Sequence, residues 1–87
     1  MAKEMSKLDV EAWVETVNTS IRITKGELKK YHESASKINY NTTIGQKKSR
    51  YHEKKIVELE DQLKGYYEEL SEAKAELRKH EFKERIR

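Results

Sequence analysis

Apolar and small residues recur along this chain at alternating steps of four and three positions. Val10, Val14, Val17, Ile21, Thr24, Leu28, Tyr31, Ala35 and Ile38 form one such stripe, and Ile56, Leu59, Leu63, Tyr66, Leu70, Ala73 and Leu77 form a second. That stepping keeps each stripe on one helical face, with charged residues around it, as in helices packed through an a/d seam. The two stripes are mirror images. Pairing Val10 with Leu77, Val17 with Leu70, Leu28 with Leu59 and Tyr31 with Ile56 gives one constant index sum, 87, as an antiparallel pair requires. Half of that sum falls near Thr43, inside Asn39-Tyr40-Asn41-Thr42-Thr43-Ile44-Gly45, the one run poor in helix formers. The pattern predicts an all-α fold, an antiparallel two-helix coiled-coil hairpin.

End signals refine the elements. Ser6 with Asp9 three residues later has the spacing of a capping box, and Met5 is placed to staple against Val10. Asp9, Glu11 and Glu15 suit the positive end of the first helix dipole. Helix one is expected over residues 7–38, with Asn39 or Asn41 taking left-handed geometry at its end. Thr43 and Gln46 form a second capping-box pair, so a turn at 39–43 leads into helix two at 44–85. Lys79, Lys83, Arg85 and Arg87 suit that helix's negative end.

An alternative is one long continuous helix in a coiled coil. The heptad phase also runs through Thr42, Gly45, Ser49 and His52 into Ile56. Such a rod would measure roughly 110 Å. Four polar or tiny seam residues in succession, glycine among them, weigh against it.

The 87 residues are expected to form a single small domain, 1–87, too small for a large core. Oligomerisation is a common remedy at this size. Trp13 and Ile23 widen the apolar face on one side of the first stripe, Val57 and Tyr67 flank the second, and Phe82 and Ile86 form a separate pair. These residues suggest a dimer built as a four-helix bundle, with Val10, Trp13, Val14, Val17, Ile21 and Ile23 at the interface.

Charged residues are 40% of the chain and hydrophobic ones 34%, which with sustained periodicity reads as amphipathic helix rather than disorder. The net charge of +3 is unevenly placed. Residues 1–36 balance; residues 56–87 carry −2; residues 37–55 set Lys37, Lys47, Lys48, Arg50, Lys54 and Lys55 against Glu53 alone, for +5. Most of these cations occupy the opening turns of helix two, where the dipole disfavours them. Tyr40 and Tyr51 lie among them and offer ring faces for stacking. Lys37, Tyr40, Lys47, Lys48, Arg50, Tyr51, Lys54 and Lys55 are therefore the candidate partner-binding residues. A solvated cap that aids solubility is the bland explanation of the same cluster.

Catalytic patterns are lacking in the sequence. Cysteine is absent, which excludes disulfides, thiolate zinc sites and thiol catalysis. Lys30-Tyr31-His32-Glu33 is echoed by Arg50-Tyr51-His52-Glu53, but neither places a second histidine at metal-ligand spacing. The serines lack an elbow or triad context, and Gly26, Gly45 and Gly65 are too scattered to cradle phosphate. Glu58-Leu59-Glu60-Asp61 and Glu68-Glu69 read as solvated helix surface. No enzymatic activity, cofactor, metal or small-molecule substrate is expected. No apolar run approaches a membrane span or a signal-peptide core, so a cytoplasmic location without membrane association is expected. The function expected is that of a small helical interaction protein (adaptor, inhibitor or assembly factor) that self-associates and binds a macromolecular partner, an unidentified protein for which the basic tip would suit acidic character. A sequence-tolerant nucleic-acid binder using the basic tip is the alternative.

Overall fold

Two helices account for nearly the whole chain. In the computed structural model, which describes residues 5–86, α1 spans Lys7–Ser36 and α2 spans Thr43–Ile86. They fold back on one another as a hairpin, so the continuous rod is excluded. At about 1.5 Å per residue the 44 residues of α2 span about 66 Å. That matches the 67 Å long axis of the molecule.

Burial follows the predicted seam closely. In α1, Val10, Val17, Ile21 and Thr24 are buried, with Val14, Leu28, Tyr31 and Ala35 half-buried between them. In α2, Gly45, Ser49, Leu59 and Ala73 are buried, and His52, Ile56, Leu63, Tyr66, Leu70 and Leu77 are half-buried. The polar seam residue Thr24 has its hydroxyl satisfied by the Ser20 carbonyl at 2.8 Å, so its burial leaves no unpaired donor.

Contacts between the helices straddle the seam. On one flank the Trp13 indole N–H donates to Glu69 Oε1 at 2.8 Å, and the Tyr31 and His52 rings meet edge-on at 5.6 Å. On the other flank the Lys25 ammonium lies 5.4 Å from the centre of the Tyr67 ring, and Lys7 pairs with Glu84 at 2.8 Å. The first two pairs fall short of the seam's constant index sum and the last two exceed it. Flanking positions on opposite sides of an antiparallel seam should do this.

The helix ends depart from expectation in detail. Ser6 caps α1 by accepting from the Asp9 amide at 3.2 Å, as the sequence suggests. The far end of α1 stops at Ser36 rather than Ile38, with Lys37 in right-handed geometry as the C-cap. Among the described residues no non-glycine residue has positive φ, so neither Asn39 nor Asn41 serves as a left-handed cap. Asn39 instead accepts the Asn41 amide on its side-chain oxygen at 3.0 Å, a local turn that competes with helix. The cap of α2 is Thr42, one residue before the expected Thr43. Its hydroxyl accepts the Gly45 amide at 2.9 Å and donates to the Asn39 carbonyl at 3.1 Å. Gln46 Nε2 turns back to the Tyr40 carbonyl at 3.3 Å rather than closing a box with Thr43. Helix α2 runs to Ile86, and Arg87 lies outside the described residues.

Candidate interaction surface

The connection between the helices shapes the basic end of the molecule. Residues 37–42 lie alongside the opening turns of α2, and Gly45 is buried against them. A β-carbon there would collide with the Asn39 carbonyl oxygen, stand 2.7 Å from its carbon and sit 2.8 Å from Thr42 Oγ1. Glycine is thus required by close backbone approach, and φ plays no part.

Around this knuckle the cations divide by heptad position. Lys37 and Lys48 share an open groove of about 340 Å³ with Ser34, Ile44 and His52, on the same flank as Trp13 and Glu69. Lys47 and Lys54 sit seven residues apart on the outer face of α2, and Arg50 points to the flank of Lys25 and Tyr67. Lys55 pairs with Glu58 at 3.5 Å and lies 5.9 Å from the centre of the Tyr51 ring. Among the described residues, Lys37, Lys47, Lys48, Arg50 and Lys54 make no side-chain ion pair. Tyr40 and Tyr51 are exposed beside them, Tyr40 resting its hydroxyl 3.4 Å from the Ala35 carbonyl.

Behind the groove stands a small aromatic cluster. His52 meets Tyr51 edge-on at 5.9 Å as well as Tyr31, and its Nδ1 is 2.7 Å from the Lys48 carbonyl. A carbonyl can only accept, so Nδ1 carries the proton. Tyr31 is held above the ordinary phenol value, chiefly by hydrogen bonding with Tyr51 and by the charge an ionised Tyr51 would bring, against the opposing Lys55. His52 is therefore a packing feature of the seam, whereas His32 is exposed. Among the described residues no three His, Asp or Glu side chains converge as metal ligands would.

The residues expected at an oligomer interface lie in two places. Val10, Val17 and Ile21 are buried inside the hairpin, Val14 is half-buried in the same seam, and Trp13 is half-buried with its N–H committed to Glu69. Ile23 alone of this set remains exposed, at 58%. Leu8, Ile44, Val57, Phe82 and Ile86 are likewise exposed. No described helix is long and apolar enough to cross a membrane.

Compared with known proteins, the chain matches no family model, and no curated protein or solved structure matches it either.

Proposed function

We propose that this chain is a non-enzymatic helical interaction module that associates with itself and holds an acidic macromolecular partner on its hairpin tip. One observation carries the proposal: Lys37, Lys47, Lys48, Arg50 and Lys54 crowd one end of the molecule with no ion pair among the described residues. Their mutual repulsion disfavours the folded hairpin, and for Lys47 and Lys48 the nearby N-terminus of α2 adds to it. Local choices that oppose stability are expected where a binding surface demands them. An anionic partner would relieve both penalties, whereas a cap serving solubility alone could carry either sign. The rest of the molecule supports a scaffold role, since a stiff rod 67 Å long separates the tip from the chain ends.

A second reading, sequence-tolerant binding of nucleic acid, is favoured by Tyr40 and Tyr51, whose exposed rings lie among the cations where bases could stack. The immobilised chain, challenged with cell extract before and after nuclease treatment, separates the two. A stoichiometric acidic protein retained after nuclease supports the first reading. Retention that vanishes with nuclease supports the second, and no specific retention in either arm contradicts both.

A further inference from the structure

We infer that the flank carrying Trp13, Ile23 and Gly65 is the self-association face, and that a second copy of this chain covers it in antiparallel, two-fold symmetric fashion. The inference rests on the self-association proposed above and adds which face is used and in which direction.

Area comes first. The chain exposes 7243 Å². A compact monomer of its 10.4 kDa would expose about 5,400 Å². The excess reflects two helices with no third layer, and it exceeds the ~800 Å² per partner of a standard interface.

Chemistry then selects the flank. At its middle, Gly65 has nothing within 4 Å of the place a β-carbon would take, so a neighbouring helix can approach closely. Beside it in α1, the hydroxyls of Thr16, Thr19 and Ser20 each donate to the carbonyl four residues back, at 2.9, 3.0 and 3.1 Å. Hydroxyls already satisfied within their own helix lose little when water is removed. Ile23 stands exposed beside them. On the opposite flank, the Lys25 ammonium already occupies a place beside the Tyr67 ring, which is 43% exposed.

Charge and apolar placement select the direction. Toward the tip this flank carries Lys30, Lys37, Lys48 and Lys55 against Glu27 and Glu58; toward the chain ends it carries Asp9, Glu69, Glu72 and Glu76 against Lys79 and Lys83, so the excess is positive at one end and negative at the other. A two-fold axis near Gly65 sets each group against the other's opposite. The same axis brings Ile44 of one copy against Ile86 of the next, both 69% exposed in the single hairpin. It also brings Ile23 near its own symmetry mate. Lys48 against Lys83 and Glu58 against Glu72 would be the like-charged pairs, the first at the solvent-facing rim where screening is strong. Lys47, Arg50 and Lys54 lie off this face and remain free for the partner at the tip.

The test uses the absence of native cysteine. Single variants Gly65→Cys, Lys64→Cys, Ile44→Cys and Ile86→Cys are oxidised under mild conditions, and parent mass is read by light scattering at high micromolar concentration. The expected result is a twofold mass, self-cross-linking of Gly65→Cys but not Lys64→Cys, and a mixed cross-link between Ile44→Cys and Ile86→Cys. Ile23→Asp should halve the mass with helicity retained, because Ile23 takes no part in the buried seam. A twofold mass with Lys64→Cys cross-linking in place of Gly65→Cys overturns the face and leaves self-association standing. Self-cross-linking of Ile44→Cys overturns the direction. A parent that keeps the mass of one chain overturns the inference together with the self-association beneath it.

Discussion

Gly45 lies so close to the backbone of Asn39 that a β-carbon at 45 would overlap the Asn39 carbonyl. This contact seats the connection on α2 and fixes where the basic tip is presented. Gly45→Ala should therefore destabilise the hairpin by about 1–3 kcal/mol, the usual cost of forcing an extra carbon into a packed site. Gly26→Ala is the matched control, because nothing lies within 4 Å of its added carbon. It should stabilise the chain by about 1 kcal/mol through helix propensity alone. Urea unfolding of the two variants, read by helicity, should move in opposite directions.

Trp13 and Glu69 make a side-chain hydrogen bond across the seam in the part of the hairpin nearer the chain ends. Trp13→Phe keeps most of the packing and removes the donor, for a loss of about 1 kcal/mol. Glu69→Gln retains an acceptor oxygen and should cost less. Equal losses from both, measured by thermal unfolding, would show that the charge on Glu69 matters as much as the bond.

Two groups make the hairpin alkali-sensitive. Lys7 is held above its ordinary value, first by its hydrogen bond to Glu84, and Tyr31 above its own by Tyr51. A raised pKa in the folded state means that unfolding releases protons, so stability falls as pH rises. The contributions are complete below the unfolded values of 10.5 for Lys7 and 10.0 for Tyr31 and disappear as pH climbs through the higher folded ones. Melting temperature followed from neutral pH to above pH ~11 should drop in that window. The drop should be shallower in Lys7→Met and in Tyr31→Phe.

Much of this fold was legible because the seam is periodic. Even its polar members, Thr24 and Ser49, are buried where the heptad phase puts them. The ends were less legible, since several residues there compete for the same role. Thr42 and Thr43 are equally good caps by composition, and the choice falls to Thr42 because its hydroxyl also reaches the Asn39 carbonyl. Asn39 draws the chain out of α1 early by bonding the Asn41 amide. Trp13 was legible as a flanking residue, but the acceptor awaiting its N–H was not, because Glu69 is one of many acidic residues on α2. The cluster of cations at the tip was plain from charge counting. Its division between a groove-lining pair, Lys37 and Lys48, and the outward Lys47, Arg50 and Lys54 needed the folded connection.

The central claim, that the tip is the binding surface, is tested most directly by removing the same amount of charge from two different places. Lys47→Gln/Arg50→Gln/Lys54→Gln neutralises the tip, and Lys74→Gln/Arg78→Gln/Arg85→Gln removes as many cations from the far half of α2. Both should fold, the first with a slight gain as mutual repulsion among the tip cations is relieved. Captured partner is then compared quantitatively for the parent and the two variants. The account predicts at least a tenfold loss for the tip variant and little change for the distal one. A tip variant that retains every partner, or equal losses from both variants, would contradict it.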